Sequence, residues 1–287
     1  MLMMEKPKMS DFQIAGGSIV GRRHLGKKNL LVGKNNQDAF DFTKTSDNII
    51  AVVCDGCGSS IHSEIGATLG CEWVVKIISD LFKTEFDLTE IWQELYTRII
   101  LNIQNTARTM NGNYIDQIME KFLFTIVGCI ITPEQTAIFS IGDGIYFINE
   151  KEYNLGPFFG NAPPFIGYSC VPKNLFAYPP ESEELEFKIN YYDTQNIQSL
   201  LIGTDGVKDL MEAATENIAG SEDLIGDISQ FWSDDIYFKN NDALRRKLAV
   251  INREYTEIKE INGQKIQLYE VGPLQDDTTM ITIRRKP

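Results

Sequence analysis

The chain has 287 residues, of which 43% are apolar and 23% are charged, a composition typical of a soluble globular protein. That length is enough for one large domain or two small ones, with a full apolar core in either case. The formal net charge of −13 argues against nucleic acid and against an anionic membrane surface as partners, because both require clustered lysine and arginine.

The spacing of apolar residues predicts the order of strands and helices. We expect a frayed tail over residues 1–10, followed by one domain over 11–287. A proline-rich, irregular excursion at about 156–183 is typical of a substrate flap or a partner surface. The predicted strands are 12–20, 49–53, 122–131, 136–141, 145–149, 152–155, 185–189, 200–204 and 278–285, and the predicted helices are 62–82, 88–110, a short one after Gly206, 222–232 and 242–258.

The order of these elements indicates the fold class. Short connections between consecutive strands imply antiparallel neighbours. Strands and helices do not alternate regularly, so a doubly wound parallel sheet is disfavoured. We therefore predict an α+β fold, a four-layer α/β/β/α sandwich in which two antiparallel sheets are flanked by helices.

Aspartate recurs at the ends of predicted strands. One such site predicts only a turn, because Asp-Gly is among the strongest turn dipeptides. If the sites meet in space, two carboxylates about 4 Å apart repel by roughly 4 kcal/mol at an effective dielectric near 20. Without cations, several would have to bind protons, and oxygen ligands of this kind favour Mg²⁺ or Mn²⁺. The five sites are Asp38 in NNQDAF, Asp55 in AVVCDG, Asp143 in SIGDG, Asp205 in IGTDG, and Asp276 with Asp277 in DDTT.

The cysteines indicate a reducing environment. There are five, an odd number scattered along the chain, which does not predict a disulfide framework. Cys54 and Cys57 form a lone C-x-x-C motif, and zinc is disfavoured because the only histidines are His24 and His62. The longest apolar run, 122–131, is too short for a membrane span, and the N-terminus lacks a segment of signal-peptide length. We therefore expect a cytoplasmic protein.

A basic loop, GRRHLGKKNLLVGK, covers residues 21–34. It is either an ordinary solvated loop or a rim that attracts anions beside an acidic metal centre. A phosphate substrate requires such a rim, because the aspartates alone would repel it. The sequence favours neither interpretation over the other.

The motifs NNQDAF, AVVCDGCGSS, SIGDG, LLIGTDGVKDL and DDTT span nearly the whole chain in a fixed order. In this respect the chain resembles the metal-dependent protein phosphatases (PPM, type 2C), particularly the bacterial forms. The resemblance implies a sandwich of two antiparallel sheets with helices on both outer faces. It also implies a Ser/Thr protein phosphatase with a centre of two Mn²⁺ or Mg²⁺ ions.

The resemblance implies roles for the aspartates at matching positions. Asp55 would bridge both metals, and the carbonyl of Gly56 would bind one of them. Asp205 and Asp276 would bind the other ion. Asp38 would act through bound water. A hydroxide bridging the metals would then attack phosphorus in line.

Further positions of the family pattern lie around these ligands. Asp143, with Asp205, would help to hold a third and looser metal ion. Asp277 and Thr279 complete the last motif and would support the ligands from behind, as would Gln37.

Three departures from the family pattern affect these expectations. Many relatives have a histidine two residues after the bridging aspartate, proposed as the general acid, whereas this chain has Cys57. Many have glutamate where this chain has Gln37. The family's phosphate-binding arginine has no clean match, and the candidates are Arg22, Arg23 and Lys34.

Our leading interpretation is a phosphatase whose partner is a phosphoserine or phosphothreonine protein. The first alternative is a non-catalytic or weakly active regulatory module of the same fold that binds a protein partner. The second is a phosphohydrolase of the haloacid dehalogenase or response-regulator class, which requires a parallel sheet and an aspartyl nucleophile with a lysine. The oligomeric state is not predicted.

Overall fold

A computed structural model describes residues 6–25, 33–84, 87–175, 182–261 and 264–286. Within these ranges the chain forms twelve strands and seven α-helices, joined by turns and short 3-10 segments. In chain order the strands are β1 (Phe12–Ile19), β2 (Asp38–Lys44), β3 (Ile49–Asp55), β4 (Ile126–Ile131), β5 (Gln135–Ile141), β6 (Ile145–Ile148), β7 (Lys151–Asn154), β8 (Lys188–Asp193), β9 (Ser199–Gly203), β10 (Glu254–Ile261), β11 (Gln264–Val271) and β12 (Thr278–Arg285).

The helices flank the sheets, and most of them are short. Among the described helices, none combines the length and the apolar character that a bilayer crossing requires. The helices are α1 (Ser63–Phe82), α2 (Ile91–Thr109), α3 (Tyr114–Lys121), α4 (Val207–Glu212), α5 (Gln230–Ser233), α6 (Ile236–Lys239) and α7 (Ala243–Ile251).

Two antiparallel sheets form the centre of the fold. The strand order is β1-β12-β9-β6-β7 in one sheet and β2-β3-β4-β5-β8 in the other, within the described part of the chain. Strands β10 and β11 form a separate hairpin. The pairing confirms the predicted architecture of two antiparallel sheets.

The two-residue period of a strand explains how the layers form. In β3, Ile49, Ala51 and Val53 face the core between the sheets, whereas Ile50 and Val52 face α1 and α2. The outer face of the other sheet packs against α4, α5 and α7 in the same way. Three apolar layers therefore hold four structural layers together, which confirms the predicted α/β/β/α sandwich.

Some predicted elements differ from the observed ones at the N-terminus and in the middle of the chain. Of the predicted frayed tail, residues 1–5 lie outside the described ranges. Met9 is fully buried in the core between the sheets, so the prediction that this residue belongs to a frayed tail is wrong. Helix α3 and strand β2 were not predicted. Helix α3 begins where the side chain of Asn113 accepts hydrogen bonds from two backbone N–H groups of its first turn.

The largest error is the predicted helix at 242–258. Helix α7 ends at Ile251, and the chain continues as β10 of the hairpin. Up to Ile251 the apolar stripe is buried on β1, but Ile258 is 67% exposed, so a longer helix would have had nothing to pack against. The predicted helix at 222–232 is helical only at its end, in α5, because Gly226 adopts a positive φ of 90°.

Candidate metal centre

The antiparallel registers bring the aspartates to one end of the sandwich. Asp38, at the start of β2, lies opposite Asp55, at the end of β3. In the other sheet, the last residue of β9, Gly203, lies opposite the first residue of β6 and close to the start of β12. The segments just outside β6, β9 and β12 therefore lie side by side, and these segments carry Asp143, Asp205 and Asp276.

A cavity of about 320 Å³ opens at this point. It is lined by Asp55, Asp143, Asp205 and Asp276, with Gly56 beside them. These residues come from four different strand ends and are separated by up to 221 positions in sequence. Five of the six predicted metal-ligating residues therefore share one cavity.

Glycine conformations position Asp143. Its neighbours Gly142 and Gly144 have φ values of +89° and +131°, which side-chain-bearing residues rarely adopt. A Cβ on Gly144 would also lie 2.7 Å from a methyl group of Val127 and 2.8 Å from the carbonyl oxygen of Gly203. The glycines allow a tight reversal between β5 and β6, and this reversal places the aspartate at the cavity.

Burial and mutual repulsion favour the protonated forms of these carboxyl groups in the absence of cations. Burial raises the pKa of Asp55 well above its ordinary value, and the charges of Asp38, Asp205, Asp143 and Asp276 raise it further. Burial, followed by the charges of Asp143 and Asp276, raises the pKa of Asp205 to about 6. The pKa of Asp143 is also raised, chiefly by burial.

Asp38 does not line the cavity but lies behind it. Its Oδ2 accepts a 2.7 Å hydrogen bond from the hydroxyl of Thr204, and the same hydroxyl oxygen accepts a 3.1 Å bond from the backbone N–H of Thr279. The Thr279 hydroxyl is 2.5 Å from that of Ser18. Burial, and then the charge of Asp277, raises the pKa of Asp38 well above its usual range. This network links the two sheets directly beneath the candidate ligands.

Asp277 fixes the start of the basic loop. Its Oδ1 accepts a 2.7 Å hydrogen bond from the backbone N–H of Gly21, and its Oδ2 accepts a 2.5 Å bond from the N–H of Gln37. The Nδ1 of His24 lies 3.0 Å from the same Oδ2. Burial raises the pKa of Asp277, and these hydrogen bonds partly oppose that effect. Asp277 and His24 both line the cavity.

The side chain of Gln37 lies beside helix α1. Its Nε2 donates hydrogen bonds of 2.6 Å to the hydroxyl of Ser63 and 3.1 Å to the carbonyl of Ser60. Its backbone carbonyl accepts a bond from the N–H of Gly56. Gln37 thus supports the segment that follows β3, and it does not line the cavity.

The three phosphate-binding candidates occupy different environments. Arg22 is 91% buried and bonds to Glu254 at 2.8 Å and to the carbonyl of Asn252 at 2.5 Å. Lys34 donates hydrogen bonds to the carbonyls at positions 58 and 60. Arg23 is 69% exposed, and its Nη1 lies 3.8 Å from Oδ2 of Asp276. Lys34 is also exposed, but its ammonium is bonded to the backbone of Gly58, which lines the cavity. Of the three, Arg23 is the one that lies beside a carboxylate of the cavity.

The donor set of the cavity fits a hard divalent cation. Asp143 Oδ1 is buried and has no hydrogen-bond partner among the described residues, so it requires a proton or a cation. Across the described ranges, no group of three or more His, Cys, Asp or Glu side chains could hold a metal ion. That finding is compatible with Mg²⁺, which usually binds one or two carboxylates and retains several waters.

A family model for protein phosphatase 2C matches residues 25–249. The chain belongs to this family. Two solved structures of similar fold are the serine/threonine phosphatase Stp1 from Staphylococcus aureus and a bacterial serine phosphatase. Stp1 is 12% identical with a TM-score of 0.53, and the match covers 99% of this chain and 98% of that one. The second is also 12% identical with a TM-score of 0.53, and covers 95% and 97%. No curated protein matches in sequence.

Within this protein phosphatase 2C fold, sequence reasoning missed residues that contribute to the site. Thr204 was treated only as the end of a strand, although its neighbour Asp205 was selected. His24 was considered only as a zinc ligand. Phe165 and Tyr168, which line the cavity, belong to the proline-rich excursion. A motif search could not have found them, because no spacing relates them to the aspartates.

Proposed function

We propose that this protein is a metal-dependent Ser/Thr protein phosphatase that hydrolyses phosphoserine and phosphothreonine in a cytoplasmic protein substrate. The observation that carries the proposal is that Asp55, Asp143, Asp205 and Asp276 line one cavity although they come from four strand ends. Membership of the protein phosphatase 2C family supports the substrate class.

We propose the ligands from the family pattern, supported by the residues that line the cavity. Two ions, Mn²⁺ or Mg²⁺, would be held by Asp55 with the carbonyl of Gly56, and by Asp205 with Asp276. Asp143 would hold a third ion together with Asp205. When bound, such ions supply a water that ionises near neutral pH and positive charge opposite the phosphoryl oxygens.

The remaining side chains act on this arrangement in defined ways. Thr204 holds Oδ2 of Asp38, and Asp38, which lies behind the cavity, would act on the ions through a bound water. Arg23 stands at the edge of the cavity with an exposed guanidinium, which can attract the phosphate and bind it in a bidentate manner. Phe165 and Tyr168 form the wall contributed by the excursion and exclude water from that side.

Hydrolysis of p-nitrophenyl phosphate and of a phosphoserine peptide tests the proposal. We expect turnover by the wild type with Mn²⁺, its loss with a chelator, and its loss in Asp55→Asn. The matched control is Asp234→Asn, which removes an exposed carboxylate outside the cavity. Turnover that persists in the chelator would contradict the proposal.

One outcome would favour the alternative of a regulatory module. If Mn²⁺ raises the unfolding temperature of the wild type but neither substrate is hydrolysed, the protein binds metal without catalysis. The observation that keeps this alternative in view is Cys57, which lines the cavity where many relatives have a histidine. In that case a protein partner, rather than turnover, would define the function.

A further inference from the structure

His24 places an imidazole in the wall of the candidate metal centre. It lies in the turn that follows β1, where its backbone N–H donates to the carbonyl of Gly21 at 3.1 Å. Its side chain is only 11% exposed and lines the same cavity as Asp55 and Asp205. The other histidine, His62, is 51% exposed just before α1 and does not line the cavity.

Asp277 holds this imidazole in one orientation. Its carboxylate is 2% exposed and is fixed by the backbone N–H groups of Gly21 and Gln37. The N–H groups of Gly21 and Gln37 are donors, so the carboxylate of Asp277 is the acceptor in both of these bonds. It also accepts the third bond, in which Nδ1 of His24, 3.0 Å from Oδ2, is the donor. A carboxylate that fixes one ring nitrogen also sets the tautomer and leaves the other nitrogen available for chemistry. That nitrogen is Nε2.

The reaction requires a proton donor in this cavity. The oxygen that leaves a phosphoserine is a strongly basic alkoxide, so its departure is slow unless a proton reaches it in the transition state. Burial raises the pKa of the Tyr168 hydroxyl to about 12, which makes it a weak acid near neutral pH. Imidazole is the side chain that gains and loses a proton in that range.

We propose that His24 is the general acid of the reaction and that Asp277 is its positioning residue. This inference rests on the proposed phosphatase function. A water oxygen forms a new bond to phosphorus while the bond from phosphorus to the serine oxygen breaks and leaves its electron pair on that oxygen. The Nε2–H of protonated His24 transfers its proton to the departing oxygen, which leaves as the serine hydroxyl. Of the two protons of the attacking water, one stays on the product phosphate and the other passes to solvent, from which neutral His24 regains a proton.

A comparison of two substrates with different leaving groups distinguishes a general acid from a residue that only supports the structure. A general acid is needed for a basic leaving group and matters little for p-nitrophenolate, which departs without a proton. General acid catalysis typically contributes about 10²–10⁴-fold. We therefore expect His24→Asn to lower kcat/KM by about 10²–10⁴-fold for a phosphoserine peptide and by less than about tenfold for p-nitrophenyl phosphate.

His24→Asn is the sharpest variant, because an asparagine amide can occupy the place of Nδ1 and keep the bond to Asp277. His24→Gln serves as a second variant that reaches further towards the position of Nε2. His62→Asn is the matched control, since it removes the chain's other imidazole from a site away from the cavity. Thermal unfolding of each variant reports whether the fold is retained. Asp277→Asn should show the same preference for the better leaving group.

A measurement without turnover gives a second readout. Because the chain has two histidines, ¹⁵N-detected imidazole spectra contain two sets of signals, which the His62→Asn spectrum assigns. Addition of inorganic phosphate with Mg²⁺ should shift the Nε2 signal of His24 and leave His62 unchanged.

The outcomes are distinguishable. Equal losses on both substrates, or no loss on either, would overturn the role of His24 while leaving the phosphatase function intact. An unmoved His24 Nε2 signal at saturating phosphate would also count against it. A wild type that hydrolyses neither substrate with Mn²⁺ would instead overturn the proposed function, and the role of His24 with it.

Discussion

Replacing Asp205 by asparagine should stabilise the protein when metal ions are absent. Asp205 is a partly buried carboxyl near Asp143 and Asp276, and burial, followed by these two charges, raises its pKa from 3.8 to about 6. At 1.36 kcal/mol per pKa unit, ionisation of this group costs the folded state about 3 kcal/mol. Asparagine has a similar shape and carries no charge, so Asp205→Asn removes that cost.

The effect should depend on pH in a defined direction. Below about pH 3 the group is protonated in the folded and the unfolded chain, so it contributes no difference. As the pH rises from about 4 to 6, the unfolded chain releases its proton first, and the wild type loses stability. The advantage of Asp205→Asn should therefore grow from near zero at about pH 3 to about 3 kcal/mol at pH 7 and above.

Urea unfolding with a chelator, followed by tryptophan fluorescence, measures this difference. With a slope near 3 kcal/mol per molar, the midpoint should move up by about 1 M at pH 7.5 and by about a third of that at pH 4.5. Asp234→Asn, which changes an exposed aspartate, should not move it at either pH. Superimposable wild-type and Asp205→Asn curves at pH 7.5, or a gap that does not shrink on acidification, would refute the reasoning.

Three further predictions concern metal, backbone and phosphate. Mn²⁺ at 100 times its dissociation constant should stabilise the wild type by about 2.7 kcal/mol in thermal unfolding, and Asp55→Asn should lose this gain; an equal gain would exclude Asp55 as a ligand. Gly144→Ala should lower the free energy of unfolding in urea by at least about 1 kcal/mol, because position 144 combines a positive φ with close contacts. Gly58→Ala, where an added Cβ would meet open space, should leave the free energy of unfolding unchanged. Equal effects of the two substitutions would contradict this reasoning. Arg23→Ala should raise KM for a phosphopeptide by about 10–100-fold with a small change in kcat. Arg22→Ala, the control, should chiefly lower the unfolding temperature. An unchanged KM for Arg23→Ala would exclude Arg23 as the phosphate ligand.

The strands that carry the candidate ligands were predictable because their signal is local. Strand β3 is a continuous run of apolar residues that ends in Asp55, and buried strands of this kind are apolar on both faces. The same holds for β9, which precedes Asp205, whereas β12, which follows Asp276, alternates apolar with polar residues. In each case the side-chain pattern reports burial directly, so the end of the strand and its aspartate could be located from sequence.

The hairpin of β10 and β11 was missed although a signal was present. Asn262 and Gly263 stand between the two strands, and Asn-Gly is the strongest short hairpin signal in a sequence. In the sequence, the apolar spacing of α7 continues past Ile251, and this misleading periodicity outweighs the turn signal. Hydrophobic spacing predicts a helix only where a surface exists to bury its stripe, and the sequence does not show where that surface ends.

Sequence by itself determined which aspartates stand at strand ends, and the order of their motifs indicated the family. It could not determine which carboxylates face the cavity, because that depends on registers between strands distant in the chain. The tertiary structure placed Asp38 behind the cavity with Thr204, committed Arg22 and Lys34 to other contacts, and left Arg23 exposed beside Asp276. It also brought together His24 and Asp277, which are 253 residues apart. Such a pair arises from the antiparallel pairing of β1 with β12, which places the end of β1 beside the start of β12, and no local pattern in the chain encodes it.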